Sequence, residues 1–267
     1  MNQPTIHFAH ANGFPAKVYS YLFEILSEDY NIIYKDVLGH EKKYPITKNW
    51  LKSGDEIVDF ISASTKEKVI GIGHSFGATS TLNAAFKAPN LFSGIILIEP
   101  VIVNGFFRNI LAEIAESINL VQYFSPAKKT EGRRQHWPNE VAAIEYFKSK
   151  KLFKNFHDRC FQDLIEHGLE HTDNGLNLVF DVGVEVDIFK KMPHHTDKFA
   201  GKLKNLPGSI ISASKTNISM PDRMERLARQ QGFNWEIVEG THMLPLENPE
   251  LTCKIIDKHI KSFNLKN

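Results

Sequence analysis

The ten residues Val69-Ile70-Gly71-Ile72-Gly73-His74-Ser75-Phe76-Gly77-Ala78 constrain this chain more than any other stretch. An apolar run of strand character stops at a serine flanked by glycines and passes directly into a helix-like pattern. Read as G-x-S-x-G, Gly73 and Gly77 remove Cβ atoms where a strand turns sharply into a helix, leaving Ser75 on a strained elbow with its hydroxyl exposed. The same letters also fit an ordinary glycine-rich strand-to-helix turn. The rest of the chain decides between the two.

Upstream, residues 5–10 form a β-like run that ends in the turn-rich Ala11-Asn12-Gly13-Phe14-Pro15, and a helical pattern follows over 18–26. Residues 30–35 give a second strand, followed by the loop Asp36-Val37-Leu38-Gly39-His40, where Asp36 and His40 are expected to be structural. A helix carrying Trp50, Leu51, Ile57, Val58, Phe60 and Ile61 comes next. Beyond Ser75, residues 78–88 are helical, with Ala78, Ala84 and Ala85 permitting close packing on a sheet. Residues 93–98 form a strand that ends at Glu99-Pro100. Strands that alternate with helices, each nearly continuously apolar, predict a mostly parallel sheet covered by helices on both faces. Chemistry in such sheets collects at the carboxyl ends of the strands, and His10, Ser75 and Glu99 all stand at or just past such ends.

The rhythm changes over residues 104–206. Amphipathic helices are predicted at 106–120, 139–153 and 160–169, and no clear sheet strand occurs until 209–213. This reads as a helical cap inserted over the rim of a core made of residues 1–103 and 207–267. Phe106, Phe107, Trp137, Tyr146 and Phe147 either line an acyl pocket or form the core of the cap. Arg133-Arg134 either meets a substrate carboxylate or makes a salt bridge within the cap. The alternation resumes with a helix at 221–231, a strand at 235–238, a loop at 239–245 and a helix at 249–263.

Basic and acidic residues nearly balance, 32 against 31 for a net charge of +1, so no electrostatic footprint argues for nucleic acid or an anionic membrane. A small neutral or weakly charged ligand suits that balance, and the expected assembly is a monomer or homodimer. The N-terminus has no basic region followed by an apolar core, and the most apolar run, 94–103, is interrupted by Glu99 and Pro100. The expected location is the cytoplasm. Cys160 and Cys253 are too few for a disulfide framework and are read as reduced thiols. His194-His195 and the pair His167 and His171 lack an acidic or cysteine partner placed to complete a metal site, so no metal is expected.

A serine hydroxyl is a weak nucleophile at neutral pH and needs a base within hydrogen-bond reach, most often imidazole. Among 12 histidines, only His242 combines a loop after a late strand with a glycine just upstream, in Gly240-Thr241-His242-Met243-Leu244-Pro245. The loop His10-Ala11-Asn12-Gly13-Phe14 offers backbone N–H groups toward a developing oxyanion. The N–H of Asn12 and that of Phe76 are the two candidate donors.

Three motifs in order, His10-Ala11-Asn12-Gly13, Gly73-His74-Ser75-Phe76-Gly77 and Gly240-Thr241-His242, together resemble the α/β-hydrolase fold enzymes over essentially the whole chain. The first looks like that family's His-Gly-x-Pro oxyanion loop, with alanine in the glycine's place. The resemblance implies acyl hydrolysis by a Ser-His-acid triad, with no cofactor, and a cap where the family carries one. The chain begins at what looks like the family's third strand, which predicts a shortened sheet of six strands. It is otherwise similar to the epoxide hydrolase and haloalkane dehalogenase branch, which places aspartate at the nucleophile. A serine there forms an acyl-enzyme rather than an alkyl-ester, so small or medium acyl esters are expected as substrates. Thioester and C–C bond hydrolysis would use the same triad.

The family usually supplies its acid after the strand corresponding to 209–214, where this sequence has Asn217. An amide orients imidazole but does not neutralise imidazolium. Glu99, which ends the strand after the elbow helix, is the preferred substitute, resembling the glutamate of the dehalogenase branch. Asp222 is the alternative. Without any acid, the chain would be a slow-turnover ligand-binding relative of the hydrolases.

Overall fold

Every residue of the strand Val69–His74 is buried, as a strand packed on both faces requires. A computed structural model of the chain describes residues 3–102, 126–194, 196–216, 218 and 220–264. In chain order the strands are β1 (Thr5–Ala9), β2 (Asn31–Tyr34), β3 (Val69–His74), β4 (Phe92–Ile98), β5 (His136–Trp137), β6 (Leu169–Thr172), β7 (Gly175–Leu178), β8 (Gly208–Ala213) and β9 (Asn234–Val238). Six of them form one sheet in the order β2-β1-β3-β4-β8-β9. Every pairing in it is parallel, which is the six-stranded α/β architecture expected from sequence.

The strand period of two sorts the apolar side chains between two core layers. Ile70, Ile72, Ile96, Ile98 and Ile211 face a layer shared with Leu22 and Phe23 of α1 (Ser20–Leu26) and with Ile256 and Ile260 of the C-terminal helix Pro249–Ser262. Val69, Ile95, Leu97 and Ile210 face the other layer. There they meet Ile57 and Ile61 of α2 (Leu51–Ser64), Leu82 of α3 (Phe76–Lys87) and Leu227 of the helix Pro221–Gln231. Helices therefore cover both faces, and the loops at the carboxyl ends of β1, β3, β4 and β9 share one rim.

The segment between β4 and β8 departs from a purely helical insertion. It contains α4 (Ala127–Glu131), α5 (Glu140–Lys148), α6 (Asp158–His167) and α7 (Val182–Lys190), together with a three-stranded antiparallel sheet in the order β5-β7-β6. Its hairpin turns at Asp173-Asn174-Gly175, where Gly175 has φ 130. Strands of two and four residues are too short to show a period, so the turn is the sequence signal that marks them. The helix expected over 106–120, with Phe106 and Phe107, lies outside the described residues. Trp137 and Phe147 are fully buried and pack with Tyr146 at ring separations of 5.1–5.4 Å, so these three rings form the core of this segment. Arg133 makes an ion pair of 2.6 Å with the buried Glu185, and the Arg134 Nε–H donates to the His136 carbonyl.

The segment is tied to the rim by α7. The Asn12 side-chain amide donates to the Glu185 carbonyl at 3.1 Å, the Trp50 indole N–H to the Ile188 carbonyl at 3.0 Å, and the Asp181 N–H to His40 Nε2 at 3.1 Å. His40 and Asp36 thus serve structural contacts, the latter pairing with Lys17.

Candidate active site

Ser75 caps α3 with φ 56 and ψ −114, a backbone conformation that residues other than glycine rarely adopt. Its N–H donates to the Ile98 carbonyl at 2.9 Å, so the neighbouring strand holds the turn. Conformations of this kind cost about 1–3 kcal/mol and persist only where the surroundings enforce them. The enforcement is visible in both motif glycines. A Cβ on Gly73 would lie 2.4 Å from the Gly77 carbonyl oxygen, and one on Gly77 would lie 2.1 Å from the Ala9 carbonyl oxygen. The pattern therefore records a close approach of the start of α3 to the end of β1.

That approach sets the hydroxyl against a histidine. His242, in the loop after β9, is 6% exposed, and its Nε2 accepts the Ser75 Oγ–H at 2.9 Å. On the other side of the ring, Nδ1–H donates to Glu99 Oε2 at 2.9 Å. A carboxylate oxygen only accepts here, so the proton belongs on Nδ1 and Nε2 is left bare toward the serine. Glu99 is wholly buried, follows β4, and has φ 52. Each of its oxygens has a donor besides the imidazole: the Ala213 N–H reaches Oε1 at 2.6 Å, and the Thr216 hydroxyl donates to Oε2. A buried carboxylate requires such partners.

Ala213 and Thr216 belong to the end of β8 and the turn after it, the place where a triad acid was looked for and Asn217 stands. Here that turn holds the carboxylate of Glu99. Asn217 itself is outside the described residues, and Asp222 is exposed in the first turn of Pro221–Gln231. Of the candidate acids, Glu99 is the one the structure brings to the imidazole.

Phe76 is the first residue of α3, so its N–H has no acceptor within the helix. The Gly77 contact with Ala9 and His10 brings the loop of Asn12 beside it. His10 stands just past the carboxyl end of β1, as expected, and its ring is built into that loop. Its Nδ1–H donates to the Ala11 carbonyl at 2.9 Å, and its Nε2 accepts the Leu38 N–H at 2.8 Å. Among the described residues, no three His, Cys, Asp or Glu side chains gather where they could hold a metal ion. Cys160 and Cys253 are buried free thiols, pushed up to about 12 by burial.

Three histidines, His7 in the middle of β1, His10 just past its end and His74 at the end of β3, are buried and neutral. Burial lowers His7 and His74 from 6.5 to about 3 and His10 to about 4. In the unfolded chain each takes a proton near 6.5, whereas in the fold none does until those lower values. The stability they support is whole above pH 6.5 and is lost as pH falls through the window from 6.5 toward 4 and 3. At pH 5.5 each costs on the order of 1 kcal/mol, a few kcal/mol together, against a typical total of about 5–15 kcal/mol. Burial raises the carboxyls of Glu56, Asp163 and Glu185, which act in the opposite sense, so the comparison is best made above the carboxylate range. Urea unfolding at pH 5.5 and 7.5 is expected to give a markedly lower free energy at the acid value. Equal values would overturn the assignment of rings that stay neutral at pH 5.5.

The chain matches the sequence pattern of the family described as the alpha/beta hydrolase family over residues 8–255. It belongs to that family. A curated relative, the Saccharomyces cerevisiae protein named peroxisomal membrane protein LPX1, is 24% identical over 208 residues, covering 73% of this chain and 53% of that protein. The chain thus spans about half the length of that relative. The solved structure of the S. cerevisiae peroxisomal alpha-beta-hydrolase Lpx1 superposes with a TM-score of 0.77 at 20% identity, covering 100% of this chain and 78% of that one. That of E-2-(acetamidomethylene)succinate hydrolase gives 0.76 at 19% identity, covering 97% and 92%. At such identities the likeness is one of fold. No helix among the described residues is long and apolar enough to cross a membrane.

Sequence reasoning missed Thr216. A threonine in a turn carries no spacing signal, and only its contact with Glu99 distinguishes it.

Proposed function

We propose that the chain is a serine hydrolase that cleaves carboxylic esters of small or medium acyl groups through an acyl-enzyme. The observation that carries this reading is the unbroken line Ser75 Oγ, His242, Glu99, with 2.9 Å at both hydrogen bonds. His242 Nε2 takes the hydroxyl proton as Ser75 Oγ attacks the ester carbonyl, and the resulting imidazolium is stabilised by the Glu99 carboxylate. The N–H groups of Asn12 and Phe76 receive the oxyanion. The imidazolium then gives its proton to the departing alcohol oxygen, leaving the acyl group on Ser75. Water, deprotonated by the same imidazole, releases the acid. Residues 104–206 act as a cap that limits water and shapes the acyl site.

The ligand-binding alternative rests on the amide at Asn217, and the 2.9 Å contact between Glu99 and His242 supports the enzyme instead. The test is treatment of the intact protein with a fluorophosphonate, followed by mass mapping, alongside turnover of p-nitrophenyl acetate, butyrate and octanoate. One adduct on Ser75 with ester turnover is expected. Absence of both would overturn the reading.

A further inference from the structure

His74 occupies the variable position before the serine, and its side chain has a use of its own. The ring is fully buried and touches two other loops of the rim. Its Nε2 lies 2.8 Å from the carbonyl oxygen of His242, and its Nδ1 lies 2.7 Å from the Tyr19 hydroxyl. Tyr19 is itself fully buried, and its oxygen accepts the Ala11 N–H at 3.3 Å.

The proton positions follow from what each group is able to do. A carbonyl oxygen only accepts, so His74 Nε2 carries a proton and donates it to His242. Burial lowers the His74 ring to about 3, so it is neutral and Nδ1 is bare. The Tyr19 O–H therefore donates to Nδ1, and the remaining lone pairs of its oxygen accept from Ala11. Burial also raises the Tyr19 hydroxyl, which keeps its proton in place. Every link has one assignment, and the run from Ala11 N–H through Tyr19 and His74 to the His242 carbonyl contains no carboxylate and no lysine or arginine.

Its two ends are the residue before Asn12 and the backbone of His242. The Ala11 peptide is fixed on its other side too, since its carbonyl accepts from His10 Nδ1–H and from the Phe14 N–H. The Tyr19 ring is wedged between Phe8 and Phe23, at ring separations of 4.9 and 6.4 Å, so the hydroxyl has little freedom to leave. The His74 ring also packs against the His242 ring at 5.4 Å.

We infer that Tyr19 and His74 are positioning residues that set the His242 loop and the Asn12 loop relative to Ser75. The inference rests on the serine-hydrolase reading for its kinetic consequences. Its structural content is a hydrogen-bonded coupling between two loops.

Tyr19→Phe keeps the ring packing and removes the one proton that reaches His74 Nδ1. It leaves that nitrogen and the Ala11 N–H without their partner. The expected result in the full chain is a fall in kcat of about tenfold on p-nitrophenyl butyrate with KM unchanged, the scale of one lost buried hydrogen bond. Fluorophosphonate labelling of Ser75 should slow in parallel. His74→Gln supplies an amide N–H to the His242 carbonyl and an amide oxygen to Tyr19, and it should keep more activity than His74→Leu. In the wild type, the His74 Nε2–H should give a slowly exchanging imidazole resonance, shifted or lost in Tyr19→Phe, with a change in the ring signals of His242. Lower stability with kcat per folded molecule unchanged would overturn the inference, leaving Tyr19 a packing residue. If the wild type neither labels nor turns over ester, the serine-hydrolase reading fails. The coupling is then judged on the resonances, and His242 signals unaffected by Tyr19→Phe would overturn it.

Discussion

Replacement of Ser75 by alanine is expected to lower kcat on p-nitrophenyl butyrate about 10⁶-fold, the scale on which serine triads depend on their nucleophile. The residue removed is the one whose hydroxyl lies 2.9 Å from a bare imidazole nitrogen, so no acyl-enzyme forms without it. The fluorophosphonate adduct should vanish with the activity. Any remaining rate, from the oxyanion donors and substrate positioning alone, should stay about 10³–10⁴ above the reaction in water. Alanine fits the elbow no worse than serine, since both carry one Cβ at φ 56, so the variant should fold. Purified Ser75→Ala protein with undiminished turnover would place the chemistry elsewhere.

Glu99→Gln is the second large effect, with an expected loss of about 10⁴ in kcat. The glutamine oxygen is able to keep the Ala213 N–H, which turns the amide nitrogen toward His242 Nδ1. That nitrogen donates, so Nδ1 becomes the acceptor and the ring proton moves to Nε2. The imidazole then meets Ser75 with a hydrogen instead of a lone pair. Far-ultraviolet circular dichroism should match the wild type, because the change is isosteric. Asp222→Asn, made in parallel, should leave kcat near that of the wild type, since Asp222 is exposed on the first turn of its helix. Near-native turnover by Glu99→Gln, or a collapse in Asp222→Asn, would reassign the acid.

The fold was legible because the apolar runs carry their own geometry. Strands buried on both faces read as nearly continuous apolar runs, as in Val69-Ile70-Gly71-Ile72 of β3 and Ile95-Ile96-Leu97-Ile98 of β4, and each is separated from the next by a helical period. The segment between β4 and β8 was less legible. Its strands are two to four residues long, held by pairing with one another rather than by a periodic face, so the sequence analysis expected only helices there.

The candidate site divides along the same line. Ser75 and His242 are marked by local chemistry, the former by glycines that a close backbone approach demands and the latter by its loop after the last strand. Glu99 was reachable from its place at a strand end. What the sequence left open was which carboxylate meets the imidazole, because Glu99 is 143 residues from His242 and Asp222 is far nearer along the chain. Tertiary structure decided it, by pairing β4 with β8 so that the end of one strand faces the turn after the other, where Ala213 and Thr216 hold the carboxylate in place. By itself, the sequence determined the sheet, its order of strands and helices, and the elbow, since these follow from periodicity and from glycine's missing Cβ. The partners of each buried polar atom came only from the fold, because hydrogen bonds across the sheet join residues that no local pattern connects.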